Sequence, residues 1–154
     1  MNKKHRKILF IFLISVFINS LFGTEIPYKK GMSTDTLFKE FGNLQHAKED
    51  KYYVLNKNNN LEQIVFWIDN DVGVYYVKEI SQYYTEKEIY SEFQNKKLNL
   101  QKTYGTPEIE KDESVLWRFQ NNDIEYIWIF IQAYNGKEFR IMMEVQFNNK
   151  ELLP

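Results

Sequence analysis

The sequence predicts an α+β fold: two helix-plus-antiparallel-strand units, with the helices packed on one face of an antiparallel sheet. Two capped, glycine-terminated helical patterns open the two halves of the chain, around residues 33–42 and 85–105. Each is followed by runs rich in β-branched and aromatic residues, separated by Asn, Asp and Gly clusters that read as turns. Aromatic residues make up 17% of the 154 residues, enough to fill a dense core without disulfides, since the chain has no cysteine. That absence also excludes thiolate nucleophiles and Cys-based zinc sites.

A leader precedes these units. Lys3, Lys4, Arg6 and Lys7 stand before the apolar run Ile8–Ile14, which Ser15 interrupts and Val16–Ile18 resume; Asn19, Ser20 and Gly23 follow. That order is the pattern of a signal peptide, residues 1–23, with cleavage after Ser20 or Gly23. The apolar run is short for a bilayer core of about 30 Å, so no membrane span is expected once it is removed. The expected location is the periplasm or the medium. Residues 24–154 then form a single domain carrying 16 Lys/Arg against 21 Asp/Glu, with the charges dispersed. No basic stripe marks a nucleic-acid partner.

In the first half, Ser33 is placed to accept an orphan backbone N–H at the helix start, a cap worth about 1 kcal/mol. Met32 and Leu37 have the spacing of a hydrophobic staple. Leu37, Phe38 and Phe41 line one face, and Gly42 supplies the left-handed stop. Strands are expected at Lys51–Leu55, Glu62–Ile68 and Val72–Ile80. In the second half Thr85 and Glu88 form a capping box. Ile89, Phe93, Leu100 and Tyr104 recur at helical spacing before Gly105 and Pro107. Strands follow at Ser114–Gln120, Asp123–Tyr134 and Lys137–Phe147. Leu37–Gly42 lies over Leu100–Gly105 and Val65-Phe66-Trp67 over Val115-Leu116-Trp117. This reads either as a repeat of units 28–84 and 85–147 or as the common look of any helix ending in aromatic-Gly.

Asn135-Gly136 is a strong hairpin signal, because a type I′ turn needs positive φ at both positions. A two-residue loop there pairs Tyr134 with Lys137, Trp128 with Met143 and Tyr126 with Val145, and a similar loop at Asn121-Asn122 pairs Trp117 with Tyr126. Strict alternation then places Tyr126, Trp128 and Phe130 in the core. The other face would carry Arg118 opposite Glu125, with Leu116, Ile127, Ile129, Ile131 and Met142 as an apolar strip among charges. Such a strip marks a partner surface, a region covered by a loop such as 46–50 or 98–106, or simply isoleucines suited to a central strand.

No catalytic constellation stands out. His46 is the only histidine after the leader, with Glu49 and Asp50 merely its sequence neighbours, and the serines sit at caps and strand ends. Asp69-Asn70-Asp71-Val72-Gly73 lacks the third ligand and distant glutamate of a calcium loop and reads as a turn. Glu108, Glu110, Asp112 and Glu113 read as a solvated acidic loop. No metal and no cofactor is expected. One tyrosine of each doublet, Tyr52-Tyr53, Tyr75-Tyr76 and Tyr83-Tyr84, should face outward.

Lys30-Gly31-Met32-Ser33, a short helix and Phe41-Gly42 resemble the opening of the SmpA/BamE family of small envelope proteins. Tyr104-Gly105-Thr106-Pro107 resembles that family's helix-ending Gly-x-Pro. Two such units in tandem resemble the β-lactamase-inhibitor-protein fold, in which helices back a curved sheet whose open face grips a protein. The chain departs from the family in having no lipobox cysteine and in Asn43-Leu44, where a proline is usual. The resemblance implies an architecture and a habit of binding proteins. The function expected is therefore an exported, non-enzymatic, envelope-associated protein-binding module using Leu116, Ile127, Ile129, Ile131 and Met142. The alternatives are an envelope hydrolase working through unidentified carboxylates and a small-ligand binder with a pocket between sheet and helices.

Overall fold

The computed structural model describes residues 26–42, 44–48, 50–55, 61–120 and 122–148, so the leader and its cleavage region lie outside the described residues. Strand accounts for 48% of these residues and helix for 24%. In chain order the elements are α1 (Thr34–Phe41), β1 (Leu44–His46), β2 (Lys51–Leu55), β3 (Leu61–Asp69), β4 (Gly73–Ser81), α2 (Glu86–Tyr104), β5 (Ile109–Lys111), β6 (Ser114–Arg118), β7 (Ile124–Tyr134) and β8 (Glu138–Phe147). All eight strands join one antiparallel sheet in the order β1-β2-β3-β4-β8-β7-β6-β5.

This corrects the expected fold class of two helix-plus-antiparallel-strand units with helices packed on one sheet face. Among the described residues, what forms is one continuous eight-stranded sheet with two helices that are small beside it. The reason lies in β4 and β8, the last strands of two four-strand meanders, which pair through Val77↔Val145 and Glu79↔Met143. Each thus fills its second ladder instead of leaving a long open edge. Two strands went unforeseen, β1 and β5, each three residues long and each at a border of the sheet.

The helix ends follow their sequence signals. Ser33 Oγ accepts the Thr36 N–H at 3.3 Å, and Glu88 accepts both the Thr85 N–H (3.1 Å) and hydroxyl (2.7 Å). Those two bonds hold the Glu88 carboxyl below its ordinary range. Leu37 of α1 and Ile89, Phe93 and Leu100 of α2 are buried in one cluster with Phe66, Val77, Val115, Trp117, Ile127 and Val145. Trp117 Nε1 donates to the Gly105 carbonyl at 2.9 Å, satisfying an orphan acceptor at the end of α2.

Residues 26–32 form a strap on this side of the sheet. Gly31 N donates to the Val74 carbonyl and Val74 N to the Met32 carbonyl, each at 3.0 Å. Tyr28 enters the core against Phe66 and donates its hydroxyl to Glu79 at 2.8 Å. Glu79, only 6% exposed, also receives Lys96 Nζ of α2 at 2.7 Å. A buried carboxylate thus ties strap, sheet and helix together, with its charge paired as burial demands.

The register of β7 corrects the face assigned to the isoleucines. Asn135 and Gly136 both have positive φ, 54° and 66°, as a type I′ turn requires. The ladder nevertheless begins at Tyr134↔Glu138, leaving Lys137 as an extra residue in the turn. One residue of slip turns a strand inside out. Ile127 and Ile129 therefore lie opposite Val145 and Met143, fully buried, and Ile131 lies opposite Ile141 and packs against the core. Trp128, expected inside, lies opposite Glu144 on the other face and is 36% exposed. The same slip sets Arg118 opposite Tyr126 instead of Glu125.

Candidate functional site

The buried isoleucines leave the second face of the sheet to different side chains. Cross-strand partners share a face, so the registers define three rows that run across it, and β7 and β8 continue it through Gln132↔Arg140 and Tyr134↔Glu138. The first is Lys51, Trp67, Tyr76, Gln146, Tyr126 and Arg118. The second is Val65, Lys78, Glu144, Trp128, Leu116 and Ile109. The third is Gln63, Ile80, Met142, Phe130, Ser114 and Lys111. The buried cluster of Phe66, Val77, Val115, Trp117, Ile127 and Val145 belongs to the opposite face.

Five aromatic rings occupy these rows. Trp67 and Tyr76 meet edge to face with centroids 4.7 Å apart, and Trp128 and Phe130 lie 4.4 Å apart at a 34° tilt. Trp128 is fixed further by its Nε1, which donates to Ser114 Oγ at 2.7 Å. Rings held by one another and by a hydrogen bond lose little freedom when a partner covers them.

Glu144 sits at the centre. Its carboxylate takes Lys78 Nζ at 2.9 Å, and the Lys78 ammonium also lies 5.8 Å from the Phe130 ring centroid. Burial first, and then the bond to Glu144, push the Tyr76 hydroxyl well above the ordinary tyrosine range; burial and then the Glu144 charge raise Tyr126 as well. Both phenols therefore remain neutral donors at physiological pH. Lys51 Nζ lies 5.8 Å from the Trp67 ring. Farther along β8, Arg140 pairs with Glu62 and stacks 3.7 Å over Tyr83, whose ring lies 5.5 Å from exposed Tyr134.

Of the five residues assigned to partner binding from the sequence, Leu116 and Met142 are on this face, Leu116 half-buried and Met142 5% exposed. Ile127, Ile129 and Ile131 are on the core face. The aromatic residues missed as surface had a readable signal: they alternate with three isoleucines in an uncharged run, so one set or the other had to face outward.

Other candidates resolve into structural roles. His46 lies on the edge strand β1, its ring 4.8 Å from Tyr52. A polar recess of about 160 Å³ is lined by Thr34, Asp50, Tyr52, Ile68, Asp69 and Asn70. Its carboxylates are engaged: Asp50 accepts the Tyr75 hydroxyl, and Asp69 accepts the N–H groups of Asp71 (2.8 Å) and Val72 (3.2 Å), closing the turn. Among the described residues no three His, Asp or Glu side chains gather as a metal site, and no helix is long and apolar enough to cross a membrane. Comparison with protein-family models, curated proteins and solved structures finds no match to this chain.

Proposed function

We propose that this chain is an exported, non-enzymatic binding module that engages a protein partner through the aromatic face of its sheet, in the periplasm or the medium. One observation carries the reading. Trp67, Tyr76, Tyr126, Trp128 and Phe130 lie on the face opposite the one that carries the buried cluster of Phe66, Val77, Ile127 and Val145. Tyrosine, tryptophan and arginine are the residue types that dominate binding energy at protein interfaces, because they offer large, stiff areas tipped with donors. The resemblance to SmpA/BamE proteins and to the β-lactamase-inhibitor-protein fold belongs to this proposal and points the same way.

The test uses the purified protein as bait against envelope extract, beside two surface variants. Trp128→Ser together with Phe130→Ser should abolish capture of a partner that wild type retains. Leu98→Ser, at a 51% exposed position on α2, should leave capture unchanged. Equal capture by all three proteins would refute the assignment to this face.

A further inference from the structure

The aromatic face is electrically balanced on an acidic domain. Its ladders carry Lys51, Lys78, Lys111, Arg118 and Arg140. Against these stand Glu138 and Glu144 on β8 and Asp69, which alternation along β3 puts on the side of Trp67. Glu62 and Glu108 complete the set by pairing with Arg140 and Arg118. Among the described residues five cations thus meet five carboxylates, whereas residues 24–154 as a whole carry 16 Lys/Arg against 21 Asp/Glu. A strongly charged partner of either sign gains nothing from such a surface. Another copy of it does, because each copy brings both signs and the same rings, the self-complementarity that a two-fold interface requires.

The ladders also repeat about the Val77↔Val145 pair. A half-turn about the sheet normal at that pair exchanges β4 with β8, β3 with β7 and β2 with β6. It sets Lys51-Trp67-Tyr76 on Leu116-Trp128-Glu144, so Trp67 and Trp128 occupy equivalent places, about 16 Å apart at ordinary strand spacings. Lys78 and Glu144, joined at 2.9 Å, flank the centre. A two-fold axis lying in the interface and passing this centre brings the Lys78–Glu144 pairs of two copies together. There the spare Lys78 donors and Glu144 lone pairs can close on one another once water is excluded. The same axis repeats any favourable tryptophan contact at four nearly equivalent places. The area suffices: seven strands, from β2 to β5, and three rows cover about 700 Å², close to the share of about 800 Å² that each partner gives to a stable interface. Two identical sheets also share one twist, so they can stack as the layers of a sandwich do.

We propose that the occupant of this face is a second copy of this chain, packed sheet on sheet as a closed two-fold dimer centred on the Val77↔Val145 pair. Trp67, Trp128 and Phe130 of each copy cover one another's sheet, and the ion pairs of the two copies interleave. This rests on the protein-binding reading above and names the partner.

The experiment is sedimentation equilibrium of the purified protein from about 1 to about 300 µM, a range that brackets a micromolar dimer. Four proteins are compared: wild type, Trp67→Ser, Trp128→Ser with Phe130→Ser, and Leu98→Ser on α2, with circular dichroism to show that each is folded. Wild type should form a concentration-dependent dimer, and Leu98→Ser should match it. Trp67→Ser and the Trp128/Phe130 variant should each raise the dissociation constant about tenfold or more, as loss of a buried aromatic anchor does. The two alter different strands, so unfolding of one leaves the other to decide. Tagged wild type should also retain untagged wild type.

A monomer at every concentration would overturn the second copy. If capture of another protein from envelope extract is then still lost on the Trp128/Phe130 variant, the face reading stands without it. A dimer that both face variants keep undiminished would place self-association elsewhere and overturn the proposal. Weakening by only one of two folded face variants would overturn packing about the Val77↔Val145 centre, and growth beyond the dimer would overturn the closed two-fold.

Discussion

Gly31 and Gly73 meet back to back: a β-carbon built on Gly73 would stand 2.5 Å from the carbonyl carbon and oxygen of Gly31. Both have positive φ, 75° and 74°, and the contact lies where the strap pairs with the start of β4. Gly73→Ala adds a backbone clash to left-handed strain, so it should cost about 3 kcal/mol or more in urea unfolding. Gly42→Ala, with equal φ strain but open space around the new methyl, should cost only about 1 kcal/mol. Equal losses would show that the close approach contributes nothing.

The two faces of β7 should respond oppositely to mutation. Ile129→Asp puts a charge at a fully buried position and should unfold the protein, with a loss above about 4 kcal/mol. Trp128→Ala, one residue away, should cost about 1 kcal/mol, for a ring stacked and bonded at the surface. Circular dichroism melts of the two variants give the answer, and a folded Ile129→Asp protein would contradict the register.

Glu79 should act as a shared anchor. Glu79→Ala leaves Tyr28 and Lys96 without their common acceptor and should cost about 3 kcal/mol, as breaking a buried ion pair does. Tyr28→Phe removes one hydrogen bond and should cost about 1 kcal/mol. A double-mutant cycle should therefore show clear coupling between positions 28 and 79; additive losses would mean the hydrogen bond adds nothing to stability.

Alkali should unfold the protein through its tyrosines. Burial and the bond to Asp50 push the Tyr75 hydroxyl up to about 12, and Tyr28, Tyr76 and Tyr126 are raised for the same kinds of reason. A raised folded-state value favours the neutral form. The stability it confers is whole below the unfolded value of about 10 and is lost as pH climbs through the folded values. Denaturant midpoints should stay flat up to about pH 10 and then fall, while tyrosinate absorbance shows a fraction of rings ionising only with unfolding. Ionisation of every tyrosine near its free value, with no loss of structure, would contradict these environments.

Much of the fold was legible because its signals are local. Ser33, Thr85, Glu88, Gly42 and Gly105 do what their residue types imply, and the inward residues of β6 and β8 keep the faces that alternation assigned them. What escaped depends on single residues or on distance. Lys137 adds one position to a turn whose Asn-Gly signal reads as two, and that position reverses β7 and with it most of the assigned partner surface. Tyr75 is likewise extra where Trp67↔Tyr76 passes to Ile68↔Val74, which frees its hydroxyl for Asp50. β1 and β5 are too short to show a period, and the β4–β8 junction joins segments more than sixty residues apart, beyond any local pattern.

The stretch Tyr126–Ala133 holds neither charge nor proline and is rich in isoleucine and aromatic rings, the composition that seeds cross-β fibres. In the folded protein β8 pairs along all of it and β6 along Tyr126–Phe130, while the borders of the sheet fall to three-residue strands that offer a stranger's backbone almost no template. Native molecules should thus stay soluble where unfolded ones polymerise, and resistance to amyloid becomes a direct gauge of how well the chain stays closed.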